Sequence, residues 1–264
     1  MIDITAVLFS VLVGLLVGLT GVGGGSLMTP FLIGVLGLPA PTAVGTDLIQ
    51  ATLTKLTGSV KHYRQRSVNL EVVIFLGIGS IPASLLGVQT LEWLKDSFDA
   101  AAVNSVMKEI IAVALVLTGV SLIVRVFLPR RWMRARKETM GDETSMSLKR
   151  RLGTILLGAT GGYLVGLTSI GSGSVMAVLL LLFYPLTPAV IVGTDIAHAM
   201  VLSLVTGFAH VLEGNVDFVL VGTLLLGTIP GVLVGSHIAA WVPSRPLRIV
   251  LAAMITFVGI NLLL

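Results

Sequence analysis

The sequence predicts an all-α integral membrane protein of two inverted-topology repeats, each of about five helical segments, with Gly-rich discontinuous helices. Three observations lead there. Of the 264 residues, 55% are hydrophobic and only 11% charged, whereas a soluble chain is about a quarter charged. The second half repeats the first. The charged loops of the two halves carry opposite patterns.

Apolar runs fall at about 4–20, 26–38, 42–60, 70–91 and 105–128, and again at about 152–168, 174–186, 188–212, 217–242 and 246–264. A spanning helix needs roughly 20 mostly apolar residues, so the second and seventh runs are too short to cross upright and read as half-helices or steeply tilted segments. Pro30, Pro39 and Pro41 flank or break the first set; Pro185 and Pro188 break the second. The start of the chain carries Asp3 and no basic residue, so the first run reads as a span rather than a signal peptide. The organisation expected is a first membrane repeat over 1–128, a basic linker over 129–151 and a second membrane repeat over 152–264.

Sliding the chain by 148 residues aligns 14–93 on 162–241 without a gap, and about 28 of those 80 positions are identical. Val44-Gly45-Thr46-Asp47 falls on Val192-Gly193-Thr194-Asp195, His62 on His210, Pro82 on Pro230 and Trp93 on Trp241. The loop at 61–66 is basic, while its counterpart at 209–217 has Glu213 and Asp217 and no Lys or Arg. The next pair reverses this: 92–99 holds three acids and Lys95, while 243–248 holds Arg245 and Arg248. By the positive-inside rule equivalent loops then lie on opposite faces, which is an inverted repeat. The linker, with eight Lys and Arg between Arg130 and Arg151, is expected in the cytoplasm and both termini outside. Five crossings per half fit, as do three crossings plus a re-entrant hairpin.

Two constellations can carry chemistry. The first is Gly21-Val22-Gly23-Gly24-Gly25-Ser26, repeated as Ser169-Ile170-Gly171-Ser172-Gly173-Ser174. Each glycine costs a helix interior about 1 kcal/mol relative to alanine, so the strings read as breaks that bare N–H groups at the start of a half-helix, a setting that suits an anion. Close helix packing is the other reading of the same glycines. The second constellation is Thr46-Asp47 with Gln50, repeated as Thr194-Asp195 with His198. Residues three apart share a helix face. Acids in apolar segments are functional candidates, so Asp47 and Asp195 are candidates to carry a proton. The plainer alternative is that Thr and Asp cap a helix restarting after the Pro-rich turn.

Lys55 is a candidate counter-charge for an anion, or a lysine snorkelling to the interface. His62 and His210 read as structural, and Trp93 and Trp241 as interfacial anchors. The four histidines are too scattered for a metal motif and cysteine is absent, so no cofactor or metal is expected. Nor is nucleic-acid binding, since the net charge of +4 resides in loops beside the membrane. The partners expected are the lipid bilayer, a small anionic substrate and protons. The leading class is a secondary transporter working by alternating access, with an anion channel as the alternative. An intramembrane enzyme would need a pair such as Ser174 with His198.

Gly-Val-Gly-Gly-Gly-Ser-Leu-Met-Thr-Pro at 21–30, followed by Ala-Val-Gly-Thr-Asp at 43–47, resembles the sulfite exporter TauE/SafE family of bacterial membrane proteins. The resemblance extends over nearly the whole chain. It implies a plasma-membrane (inner-membrane) permease, a probable exporter in that family's terms, for sulfite or organosulfonates. The second copy departs from the motif, with Ser172 and Val178 where the first has Gly24 and Pro30.

Overall fold

A computed structural model describes residues 4–20, 24–127, 147–173, 175–184, 186–239, 241–242 and 244–263. Met1 to Asp3, Gly21 to Gly23, Ser174, Pro185 and residues 128–146, which include most of the linker expected over 129–151, lie outside the described residues, so the readings placed on them stay as sequence expectations. Among the described residues the chain forms ten helices and no strand. The first five are α1 (Ile4–Thr20), α2 (Gly25–Gly34), α3 (Ala40–Arg64), α4 (Leu70–Ser97) and α5 (Ala100–Phe127). The second five are α6 (Leu148–Thr168), α7 (Val175–Phe183), α8 (Pro188–Leu212), α9 (Phe218–Ile238) and α10 (Ser244–Leu263).

Five of these helices are long and apolar enough to cross a membrane: α4, α5, α8, α9 and α10. Local chemistry fixes several boundaries. Asn69 accepts the Val72 N–H at the start of α4, and Asp217 accepts the Leu220 N–H at the start of α9. These caps are equivalent positions of the two copies. Pro188 opens α8 behind the Thr187 cap, where its missing N–H costs nothing. Pro30 does not break the first set, because it sits inside α2.

α2 has ten residues, which at 1.5 Å per residue is about 15 Å, half the hydrocarbon thickness. A Cβ on Gly24 would lie 3.6 Å from Val17 and 3.8 Å from Val13, seven and eleven residues back along the chain. No continuing helix could make both contacts, so the chain reverses after Thr20 and α2 returns alongside α1. In the second copy Gly161 of α6 meets the Met176 side chain of α7, and α7 doubles back in the same way.

Helices of one half pack mainly on helices of the other. Gly14 and Gly18 of α1 lie on the backbone of Thr228 and Val232 of α9; Gly158, Gly162 and Gly166 of α6 lie on Leu76, Ser80 and Ser84 of α4. Both pairs run parallel, and a shift of 148 residues turns one pair into the other. The equivalent helices α3 and α8 also meet, with Gly58 against Ile196 and Gly207 against Ile49, so they run antiparallel. The same holds for α5 and α10, where Gly119 meets Ala252 and Thr256 while Gly259 meets Ala112 and Leu115. Equivalent helices that meet head to tail are related by a pseudo-twofold axis lying across the helices.

The repeated Gly-Thr pair ties the halves together. Gly45 abuts the Asn215 carbonyl, and the Thr46 hydroxyl accepts the Asp217 N–H at 3.0 Å. Gly193 abuts the Ser67 carbonyl, and the Thr194 hydroxyl accepts the Asn69 N–H at 2.9 Å. Each threonine therefore holds the loop that enters the other half's long helix.

Two substitutions test this packing. Gly162→Val places a branched side chain against the Ser80 backbone, and overpacking of this kind costs about 1–3 kcal/mol or more; the detergent-solubilised protein is expected to melt several degrees lower. Thr194→Val leaves the Asn69 N–H without its acceptor, at about 1–3 kcal/mol. A melting curve unchanged in either variant contradicts the packing described.

Candidate functional site

The site forms where α3 and α8 cross beside the two breaks. Three consecutive residues of each copy serve two purposes: the glycine and threonine hold the opposite half, and the aspartate turns toward a break. Asp47, fully buried, accepts hydrogen bonds through Oδ2 from Ser169 Oγ at 2.6 Å and from Thr29 Oγ1 at 2.9 Å. A Cβ on Gly25 would stand 3.0 Å from the same oxygen. Asp195, 1% exposed, accepts a backbone hydrogen bond from Gly173. The second carboxylate oxygen of each acid is buried without a hydrogen-bond partner.

These positions correct the capping expectation. α3 starts at Ala40 and α8 at Pro188, so each aspartate lies seven residues inside its own helix and cannot cap it. Each instead places its carboxylate at the break before the half-helix of its own copy. The breaks themselves adjoin, with Gly25 packed on the Ser169 carbonyl so closely that a Cβ there would stand 3.2 Å from the Ser169 hydroxyl. Ser169, Gly171 and Gly173 have φ of 60°, 115° and 100°, the left-handed region that glycine enters at least cost. Gly24, at φ −64°, makes no such demand, so a serine is tolerated at its equivalent, Ser172.

Between the breaks lies a cavity of about 460 Å³. Its lining mixes apolar side chains, Val13, Val17, Ile196 and Val232 among them, with Gln50, Thr54, Lys55 and Asp195, and it reaches Gly24 and Gly173 at the two breaks. Lys55 donates from Nζ to Ser172 Oγ at 2.9 Å and to Ser203 Oγ at 3.1 Å. Ser203 is the residue equivalent to Lys55 in the second copy, so the ammonium sits on the pseudo-twofold axis. It interacts electrostatically with both Asp47 and Asp195. It does not snorkel to an interface.

Gly24, Gln50, Lys55, Gly173 and Asp195 thus share one cavity. Asp47, Gly25, Ser26 and Ser169 lie buried beside it, and Ser172 reaches it through Lys55. Thr46 and Thr194 face away, occupied by the loop N–H groups. Gly171 lies against Leu164 and Val165. His198 is buried against Ser80 Oγ, 2.8 Å from Nε2. Gly23 and Ser174 lie outside the described residues.

Arg125 was not singled out from the sequence, and Arg248 only as a loop charge that sets topology. Arg125 of α5 interacts electrostatically with Asp195 and with Arg248, and Arg248 of α10 donates to the Thr20 carbonyl at the end of α1 at 3.4 Å. Arg125 is a charge inside an apolar run, the same signal that marks Lys55. No group of three or more His, Cys, Asp or Glu is placed to hold a metal among the described residues.

The comparisons with known proteins fit this architecture. A probable membrane transporter protein of Bacillus subtilis, YjnA, is 42% identical over 261 residues, covering 99% of this chain and all of the relative. A second from the same organism, YdhB, is 24% identical, covering 92% of each chain. A probable membrane transporter protein of Haemophilus influenzae is 27% identical, over 97% of this chain and 94% of its own. No solved structure matches. The sulfite exporter TauE/SafE family matches residues 6–262, and with its apolar helices the chain is a multi-pass membrane protein that belongs to this family.

Proposed function

We propose that the protein is a secondary transporter that exports a small anion, sulfite or an organosulfonate, across the bacterial inner membrane by alternating access, together with a proton. The observation that carries this reading is Lys55, held on the pseudo-axis by serines of the opposite copy and lining a one-sided cavity between two helix breaks. Two unit charges about 4 Å apart attract by ~4 kcal/mol at an effective dielectric of ~20, while a helix N-terminus contributes about 0.3–2 kcal/mol. The ammonium therefore outweighs the half-helix dipoles as the anion's partner, and the apolar side chains of the lining suit the carbon body of an organosulfonate.

Like charge supports the proton. An anion held at Lys55 enters beside the carboxylates of Asp47 and Asp195, which interact electrostatically with the same ammonium. A proton on either aspartate removes one of those negative charges and eases the anion's entry. Binding of each then favours the other, as co-transport requires. Of the cavity's lining residues Thr57, Gln65 and Ser236 are exposed. Thr57 and Gln65 lie at the end of α3 that leads into the basic 61–66 loop, which favours an opening to the cytoplasm, the side also expected for the linker over 129–151. A pathway sealed at its other end by α8 on α4 and α6 favours a carrier over a channel. The doubling back of α2 and α7 favours three crossings plus a re-entrant hairpin in each half, inverted between halves by the crosswise axis.

Three measurements test this. Lys55→Gln is expected to lower saturable sulfite flux in proteoliposomes about 100-fold with its melting temperature little changed; full flux contradicts the anion site. Asp47→Asn and Asp195→Asn are expected to keep sulfite exchange while at least one loses accumulation driven by a pH gradient. If both variants accumulate sulfite as well as the parent, proton coupling through these acids is wrong. Single cysteines replacing the equivalent residues Gln65 and Glu213 are expected to label from opposite membrane faces, and labelling from one face contradicts the inversion.

A further inference from the structure

The two halves share a sequence pattern and an axis, but their conformations differ around Lys55. In the first half α3 meets the start of α9 at Thr46, but beyond Lys55 the cavity separates it from α1 and α9, with Gly18, Gly58, His62 and Val232 on its walls. In the second half the equivalent residues are in contact. Thr206, equivalent to Gly58, donates to Ser84 Oγ at 2.8 Å, and Ser84 is equivalent to Val232. His210, equivalent to His62, donates from Nε2 to the carbonyl of Gly166 at 3.0 Å, and Gly166 is equivalent to Gly18. Ser84, Thr206 and His210 are all fully buried. A polar lock closes over them: Lys95 bonds Glu92 Oε2 at 2.7 Å and Asn215 Oδ1 at 2.9 Å, and Asn215 donates to Glu92 Oε1 at 2.7 Å.

A pseudo-twofold chain that holds its halves in two conformations has a second state of similar internal contacts, reached by exchanging them. From this we infer a second, closed entrance to the anion site, the counterpart of the open cavity. It is lined by Asp47, His198, Ser84, Thr206 and His210, and it opens on the opposite membrane face as the first cavity shuts. In that state Gly58 meets Val232 and His62 closes on the Gly18 carbonyl, as Thr206 and His210 do now. Asp47 and His198 then face the anion in place of Asp195 and Gln50. The pair Gln50 and His198, unlike in the two copies, gives the two faces different chemistry toward one substrate. The Glu92–Lys95–Asn215 lock must break for the entrance to open. This inference rests on the alternating-access reading and specifies the residues that carry it.

The chain has no cysteine, so introduced thiols report without background. Ser84→Cys, a near-isosteric change, is expected to react with a membrane-impermeant maleimide from the face that labels Glu213→Cys, at least 10-fold faster when Lys95→Ala removes the lock. Gly58→Cys with Val232→Cys is expected to form a disulfide under mild oxidation, stopping sulfite flux until reduced. Sulfite flux by the cysteine-free parent is measured in parallel and reports the transport reading separately. If the parent transports sulfite but Ser84→Cys stays unreactive from that face and the Gly58–Val232 pair never cross-links, the second entrance is overturned while the transport reading stands. If Ser84→Cys reacts and the pair cross-links but no flux is found, the entrance is upheld and the substrate reading fails.

Discussion

Between two helices in a bilayer, apolar surface gains nothing by meeting protein instead of acyl chains, so association rests on close packing and on interhelical hydrogen bonds. Here that closeness comes from glycine. The stripes Gly158, Gly162, Gly166 and Gly227, Gly231, Gly235 each press onto the backbone of a helix from the opposite half. Neither half is packed by its own helices alone. The interleaved halves must be matched, and matching by the same glycines twice produces the pseudo-axis. Everything at the site follows from that axis. It brings residue 55 against residue 203, and the two breaks into contact at Gly25 and Ser169.

Once the axis is fixed, charge becomes the scarce quantity. A lysine and two aspartates in a low-dielectric interior are tolerated only near one another. Lys55 spends its hydrogen bonds on two serines, and each aspartate leaves one buried oxygen without a partner. A fully satisfied ion cluster would have no reason to exchange anything with solvent. Here the unpartnered carboxylate oxygens adjoin a cavity of about 460 Å³, which suits the proposed passage of charge. The asymmetry around it, open on one side and locked on the other, is what the proposed alternating-access cycle requires of one of its states.

Much of this was legible in the chain itself. The repeat, the run at 188–212, the short second and seventh segments and the glycine breaks all appear in the sequence because local apolarity and glycine density encode them. The meaning of Gly-Thr-Asp was only half legible. Its recurrence marks it, but the partners of Thr46 and Thr194 lie 171 and 125 residues away, and no local pattern names them. Capping was a reasonable expectation for Asp47 that failed because α3 begins a full two turns earlier, at Ala40. Arg125 escaped notice at the end of a long apolar run, where a charge usually meets the interface rather than an acid on another helix. α3, which carries most of the candidate site, holds Asp47, Lys55, Lys61 and Arg64 and falls short of the apolarity of an ordinary span, so the helix of greatest interest reads as the least membranous.

The central claim, that an anion binds at Lys55 between the two breaks, is tested most directly by locating one. Selenite, a heavier analogue of sulfite, can be placed by its anomalous scattering in crystals of the protein grown with it. The expected result is a single strong peak within hydrogen-bonding distance of Lys55 Nζ, beside Gly24 and Gly173 and lost in crystals of Lys55→Gln. A peak at a surface arginine alone, or none at saturating selenite, contradicts it.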